Sequence, residues 1–210
     1  MKRFKSLVSY SFLVVLLLVS LCTNVILLTR LKYPRAWTSF QERLHPAPPV
    51  RSDDHVRGNR SAKFTVIEYT DFQCPYCSQF HAEMQRAMKE TDTRWVLRER
   101  PIAQIHPMAV PAAEAAECAA AQGRFWEYAD KVFENQKGLG YNKLFEFADQ
   151  VGLDPRAFGT CVRGGTYRGL VKRTEQEADR LRINGTPTLF INGKRINGLL
   201  PYEQLKALLR

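Results

Sequence analysis

The sequence lacks the cysteine and histidine clusters that usually hold zinc. Its 210 residues include five cysteines and four histidines, and only Cys74 and Cys77 form a close pair. A tetrahedral zinc site built on that pair needs two more soft ligands, normally a second Cys-x-x-Cys or a His-x-His cluster. The Cys74–Cys77 pair is therefore expected to be a redox centre, and no metal is predicted.

A strongly basic folded region is also missing, although the formal net charge is +10. Residues 1–61 hold ten lysines and arginines against three acids, so residues 62–210 hold 21 against 18. A nucleic-acid-binding domain concentrates positive charge on its folded surface. We therefore expect no nucleic-acid partner, and anionic lipid headgroups suit the basic N-terminal region better.

Charged residues are absent from the 24 residues between Ser6 and Thr29. That length of uncharged chain can span a bilayer, so a transmembrane helix retained as an anchor is predicted for residues 1–30. A cleaved signal peptide is the first alternative, but the apolar region is long and no Ala-x-Ala arrangement follows it. A lipoprotein acylated at Cys22 is the second alternative, which Leu21 at the preceding position disfavours.

The remaining chain divides into a linker and one α/β domain. Residues 31–61 are rich in proline and polar residues and lack periodicity, which predicts a linker before a domain at 62–210. The domain pattern is strand, helix, strand, helical block, hairpin and helix. The predicted segments are a strand at Phe64–Thr70, a helix ending near Glu90, a strand at Thr93–Pro101, a helical block at about 106–182, hairpin strands at Thr188–Ile191 and Lys194–Asn197 around Asn192-Gly193, and a helix at Pro201–Leu209.

The cysteine pair lies where the first strand gives way to a helix, with Pro75 suited to the first helical turn. Cys74 would lie at the helix N-terminus, where the macrodipole and unpaired N–H groups favour a thiolate, so it is the predicted nucleophile. Cys77, one turn further in, is the predicted resolving thiol. Glu68 within the apolar strand is a candidate proton relay, the alternative being that it points to solvent. His81 is expected at the surface or lining a groove.

Two motifs together identify a family. Cys74-Pro75-Tyr76-Cys77 after a strand carrying Glu68, with Gly185-Thr186-Pro187-Thr188 over a hundred residues later, resembles the DsbA-like branch of the thioredoxin superfamily. The resemblance covers about residue 62 to the C-terminus and implies a thioredoxin fold with a helical insertion between its halves. It also implies a cis Pro187 beside the active disulfide and backbone groups of Thr186 that face a bound substrate chain. Tyr76 and Pro75 are expected to add apolar surface for that chain.

Cys118 and Cys161 both fall in the predicted insertion. Some members of the resembling family carry a second, structural disulfide, and an oxidising compartment would favour one here. We therefore expect Cys118 and Cys161 to be bridged. The alternative is two buried free thiols that pack as small hydrophobic side chains.

These features predict a protein thiol:disulfide oxidoreductase that introduces disulfides into exported proteins through Cys74 and Cys77. A reductase or isomerase kept reduced by a membrane electron donor is the main alternative, and a peptide-binding holdase is a further one. We expect a monomer without a bound cofactor. Its partners would be cysteine-containing exported polypeptides and, as the resemblance implies, a membrane quinone-coupled thiol oxidase. The predicted location is the bacterial inner (cytoplasmic) membrane, single-pass, with the catalytic domain in the periplasm or cell exterior.

Overall fold

The computed structural model describes residues 2–32 and 46–210, and the chain divides into two compact units, Met1–Pro46 and Ala47–Arg210. The described part of the first unit is helix α1 (Lys2–Lys32), with exposed apolar side chains from Val14 onward. Within the described residues, no helix is both long enough and apolar enough to cross a membrane. The transmembrane helix predicted for residues 1–30 is therefore not confirmed. Part of the predicted linker, residues 33–45, lies outside the described residues.

The second unit is an α/β domain. Its strands are β1 (His55–Arg57), β2 (Phe64–Thr70), β3 (Thr93–Glu99), β4 (Thr188–Ile191) and β5 (Lys194–Asn197). Its helices are α2 (Pro75–Met88), α3 (Ala109–Ala120), α4 (Phe125–Glu134), α5 (Tyr141–Gln150), α6 (Pro155–Gly164), α7 (Arg168–Arg180) and α8 (Tyr202–Leu208). The predicted α/β architecture with a helical insertion is confirmed, and the insertion consists of the five helices α3 to α7.

The strands form one five-stranded sheet in the order β1-β3-β2-β4-β5. Strands β2 and β3 are parallel and joined through α2, whereas β4 and β5 form an antiparallel hairpin beside β2. Both central strands are buried over almost their whole length, which explains their near-continuous apolar and β-branched sequences. The hairpin turns at Asn192 (φ 48°) and Gly193 (φ 88°), and both residues have the positive φ that a two-residue type I′ turn requires.

Strand β1 corrects the predicted domain boundary. Its residues pair antiparallel with β3, His55 opposite Leu97 and Arg57 opposite Trp95. Residues 47–61, predicted as part of the linker, therefore belong to the folded domain. The segment was missed because three residues, His-Val-Arg, show no apolar run, and their stability depends on pairing with a strand about 40 positions later in the chain.

The sheet has apolar cores on both faces. One core contains Trp95 and Leu97 of β3 together with the apolar stripe of α2, the insertion helices and α8. The other is smaller and contains Tyr69, Val96 and Phe190 with Ala178 of α7. Strand β2 thus lies between two packed layers, so the segment that follows its carboxyl end at Thr70 is held in place from both sides.

Candidate active site

The two cysteines are positioned by the turn that connects β2 to α2. Cys74 is the N-cap residue of α2, with an extended backbone (φ −74°, ψ 122°), and Pro75 occupies the first turn. The backbone N–H of Cys74 donates to the carbonyl of Asp71 at 3.0 Å, and the Cys77 N–H donates to the Cys74 carbonyl at 3.1 Å. Both sulfur atoms therefore lie near the helix N-terminus, where backbone N–H groups stabilise negative charge.

The two thiols differ in burial and in acidity. Cys74 is 4 % exposed and Cys77 is 0 % exposed, and both are unbridged in this structure. A hydrogen bond from the Cys77 thiol lowers the pKa of Cys74 to about 6 against the opposing effect of burial, with smaller contributions from the Thr186 side chain and two backbone N–H groups. Burial raises the pKa of Cys77 well above its usual range. Cys74 is therefore the thiolate of the pair and Cys77 the proton-bearing partner.

Glu68 lies in the middle of β2 and is completely buried. Its Oε2 accepts a hydrogen bond from Trp95 Nε1 at 3.0 Å, while Oε1 has no hydrogen-bond partner among the described residues. Burial raises the pKa of Glu68 to about 8, and the nearby Cys74 charge adds to the shift. The alternative in which Glu68 points to solvent is wrong. A buried carboxyl that titrates close to neutrality can take up or release a proton beside the thiol pair.

The loop before β4 forms the opposite wall of the site. Thr186–Pro187 is a cis peptide bond, and the Thr186 carbonyl lies 3.4 Å from Cys74 Sγ. Thr188 then pairs with Tyr69 of β2, which fixes the loop against the start of α2. Next to the reactive sulfur, Tyr76 is 58 % exposed. The structure therefore brings Cys74, Cys77, Glu68, Pro75, Tyr76, Thr186 and Pro187 into one region, although only some of them touch.

Asp71 is a site residue that the sequence analysis missed. It is buried, and its carboxylate accepts hydrogen bonds from the backbone N–H groups of Gln73 and Ile102, both at 2.8 Å. His106 Nδ1 lies 2.9 Å from the same carboxylate. Asp71 thus ties the turn before Cys74 to the segment that leads into the insertion. Its position directly after a buried strand and before Cys-x-x-Cys was the available signal.

Gln136 was also missed, and His81 was placed wrongly. Gln136 Nε2 donates to the carbonyls of Phe72 and Cys74, at 2.8 and 3.0 Å, so a residue of the insertion supports the active-site turn. His81 was expected at the surface or lining a groove, but it is buried, with Nε2 2.6 Å from Asp130 Oδ1. His81 is buried because it lies next to Phe80 on the side of α2 that packs against the insertion.

Cys118 of α3 and Cys161 of α6 are joined by a disulfide. The bridge links two helices of the insertion across a sequence separation of 43 residues. The alternative of two free thiols does not describe this structure. Cys22, in contrast, is an exposed free cysteine on α1.

A thiolate and a thiol held together at a helix N-terminus can exchange electrons, as a pair, with a disulfide or dithiol of another chain. With the α/β fold around it, this arrangement defines a thiol–disulfide oxidoreductase. A thioredoxin family model matches residues 51–210. The chain therefore belongs to the thioredoxin family.

Similar solved structures agree with this assignment of the fold. A thioredoxin-like oxidoreductase from Silicibacter pomeroyi DSS-3 superposes with a TM-score of 0.66 and 26 % identity, over 75 % of this chain and 91 % of that one. Oxidised BdbD from Bacillus subtilis gives a TM-score of 0.70 with 21 % identity, over 78 % and 95 % of the two chains. The second likeness concerns the fold alone.

Curated relatives are longer proteins. The chain is 40 % identical over 163 residues to Na(+)/H(+) antiporter NhaA 3 of Salinispora tropica, a match that covers 77 % of this chain and 25 % of that protein. Na(+)/H(+) antiporter NhaA 1 of Mycolicibacterium gilvum gives the same identity over 159 residues. The chain spans about a quarter of the length of these curated relatives.

Proposed function

We propose that this protein donates a Cys74–Cys77 disulfide to cysteines of exported polypeptides. The observation that carries the proposal is the difference in acidity within the pair: the pKa of Cys74 is lowered to about 6, whereas the pKa of Cys77 is raised. A stabilised thiolate favours the reduced form of the pair, so the oxidised form becomes a stronger oxidant. The same thiolate is a good leaving group when a mixed disulfide is resolved.

The reaction is two successive thiol–disulfide exchanges. A substrate thiolate attacks Cys74 Sγ, which forms a substrate–Cys74 disulfide and breaks the Cys74–Cys77 bond. Cys77 leaves as a thiolate and takes a proton, for which the buried Glu68 carboxyl is the proposed donor. A second substrate thiolate then attacks the substrate sulfur of the mixed disulfide. The substrate leaves with a new disulfide, and the protein is left with a Cys74 thiolate and a Cys77 thiol.

The surface around Cys74 suits an extended substrate chain. The exposed ring of Tyr76 provides apolar contact, and the Thr186–Pro187 segment lies directly across the sulfur. Backbone groups there could pair with a bound peptide as an added strand does. Recycling requires an external electron acceptor, and we propose a membrane quinone-coupled thiol oxidase for that role, with no cofactor held by this chain.

We also propose that the domain works outside the cytoplasm, since structural disulfides such as Cys118–Cys161 persist in oxidising compartments. Attachment to the inner membrane through the N-terminal segment belongs to the same proposal. It is supported by the uncharged stretch from Ser6 to Thr29 and by relatives that are named as antiporters. Cell fractionation tests it: the full chain should sediment with membranes after an alkaline wash, whereas a chain that begins at Ala47 should not. Recovery of the full chain in the wash would refute attachment.

The direction of electron flow is tested by the reduction potential of the pair in glutathione buffers. A potential near that of strong oxidants, about −120 mV, is expected, whereas a value near about −270 mV would make the protein a reductase. Cys74→Ser should abolish oxidation of a model dithiol peptide. A Cys74→Ser protein that still oxidised this peptide at the wild-type rate would refute the assignment of the nucleophile.

A further inference from the structure

Three side chains outside the thiol site converge where β1 meets β3. His55 of β1 lies opposite Leu97 of β3, and Glu99 follows Leu97 by two residues on β3. Residues two apart on a strand share a face, so His55 and Glu99 project from the same face of the sheet. Glu117 of α3 reaches this face from the insertion, with Oε1 2.9 Å from His55 Nε2. One donor atom from each of the three residues lies within 4.8 Å of the other two.

The imidazole is held in a fixed orientation. Its ring stacks on Phe125 with a centroid distance of 3.6 Å and an interplanar angle of 11°. Nε2 points at Glu117, whose side chain is buried, while the His55 side chain retains 21 % exposure. The donor set is thus built into the fold and still has a route to solvent past the histidine.

Among the described residues, Oε1 of Glu99 lacks a hydrogen-bond partner that a buried acid normally has, whereas Glu117 is paired with His55. Glu99 is only 2 % exposed. Two buried carboxylates close together without a cation are costly to ionise.

The nearby guanidinium groups line the same cavity as these three side chains but pair with other acids, and Arg51 Nε has no hydrogen-bond partner among the described residues. Arg98 bonds both oxygens of Asp54 at 2.7 and 2.8 Å and also bonds Glu177. Arg51 pairs with the same two acids. Across residues 46–210 as described, neither Glu99 nor Glu117 forms an ion pair with lysine or arginine. A cavity of about 20 Å³ lies between these groups, which is room for one water-sized or ion-sized occupant.

We propose that His55, Glu99 and Glu117 bind one divalent first-row transition-metal ion, with Zn²⁺ as the representative ion. One imidazole nitrogen and two carboxylate oxygens suit such ions, whereas Mg²⁺ and Ca²⁺ favour all-oxygen sets. In a tetrahedral site, donors bound at about 2.1 Å lie about 3.4 Å apart, so donor atoms that now lie within 4.8 Å of one another need to close by at most about 1.4 Å.

The bound ion would connect β1 to the insertion and would act on stability, because none of its ligands belongs to the thiol site. No metal was predicted from the sequence, because it carries no cluster of adjacent soft ligands. Here the three ligands are far apart in the sequence and meet only in the fold.

Zinc binding by the full-length, untagged protein tests the proposal, with the protein in detergent and the Cys74–Cys77 pair oxidised so that its sulfurs cannot compete. After chelator treatment and desalting, equilibrium dialysis against Zn²⁺ should give one tightly bound ion per chain. Glu99→Gln and Glu117→Gln should each weaken binding at least tenfold. Glu114→Gln is the matched control, because Glu114 is another buried acid on α3 that pairs with Arg168 instead. Zn²⁺ should also raise the thermal midpoint of wild type and of Glu114→Gln.

The visible absorption spectrum of bound Co²⁺ is a second test, which uses the wild-type protein alone and does not depend on the folding of a variant. The d–d bands of Co²⁺ should appear without a thiolate charge-transfer band. The proposal is overturned if wild type binds no Zn²⁺, if Glu99→Gln and Glu117→Gln bind it as wild type does, or if a thiolate band shows that Cys22 is the ligand. Equal affinity for Ca²⁺ or Mg²⁺ would overturn the assignment to transition metals.

Discussion

Removing the thiol that hydrogen-bonds Cys74 should make Cys74 less acidic, and Cys77→Ala is the substitution that does so. The Cys77 thiol is the largest contributor to the lowered pKa of Cys74, which is about 6 in place of 9.0. A hydrogen bond to a charged group contributes about 1.5–3 kcal/mol, which corresponds to about 1–2 pKa units. The pKa of Cys74 in Cys77→Ala should therefore rise to about 7–8, and Cys77→Ser, which keeps a donor, should stay close to wild type.

The assay is alkylation of Cys74 by iodoacetamide across a pH series. At pH 6 about half of wild-type Cys74 is thiolate, whereas Cys77→Ala should have roughly a tenth to a hundredth, so its rate at this pH should fall roughly 5- to 50-fold. The midpoint of the pH profile is the decisive quantity, because a thiolate of higher pKa is intrinsically more nucleophilic and raises the plateau rate. Identical midpoints in Cys77→Ala and Cys77→Ser would refute the reasoning and assign the acidity of Cys74 to the helix terminus.

The lowered pKa of Cys74 also changes the reduction potential of the Cys74–Cys77 pair. A lowered pKa stabilises the folded, reduced protein only where the thiolate forms, so the contribution is absent well below pH 6 and grows as the pH rises. At pH 7 it amounts to about 1.4 kcal/mol, or about 30 mV for a two-electron couple, and it levels off near about 4 kcal/mol above pH 9. The potential of the wild-type pair should therefore depend on pH more weakly between pH 6 and 9 than that of a pair with ordinary thiols.

Two further predictions concern buried groups. Because the pKa of Glu68 is raised from 4.5 to about 8 in the folded state, the unfolding free energy of wild type should fall as the pH rises through that window. Measured by urea unfolding, Glu68→Gln should therefore gain stability relative to wild type over the same window, whereas the exposed Glu203→Gln should show no such trend. A stability difference between Glu68→Gln and wild type that does not change with pH would contradict the assignment. Replacing both Cys118 and Cys161 by Ala should lower the unfolding free energy by about 4 kcal/mol, because the disulfide closes a loop with a separation of 43 residues. Thiol–disulfide exchange at Cys74 should not become slower. A loss under about 1 kcal/mol would contradict the loop-entropy estimate.

The parts of the site that could be predicted from the sequence are those encoded locally. Cys74, Pro75 and Cys77 lie within four residues at a strand–helix junction, and Glu68 stands out as an acid in an apolar strand. The missed contacts join distant positions: Asp71 meets His106 35 residues later, and Gln136 reaches Cys74 across 62 residues. Such hydrogen bonds leave no periodic signal, because a single polar side chain serves each of them. Strand β1 was missed for the same reason, since its partner is β3.

Long-range contacts hold the reactive turn in place while Cys74 and Cys77 are unbridged. A helix N-terminus alone offers backbone N–H groups, but the turn before it would otherwise be free to move when the pair is reduced. Here Asp71 holds the turn from the side of residues 102–106, and Gln136 holds its carbonyls from the insertion. Preorganised donors stabilise charge without reorganising at the moment of reaction. The helical insertion therefore positions the turn that carries Cys74, in addition to its contribution to the core.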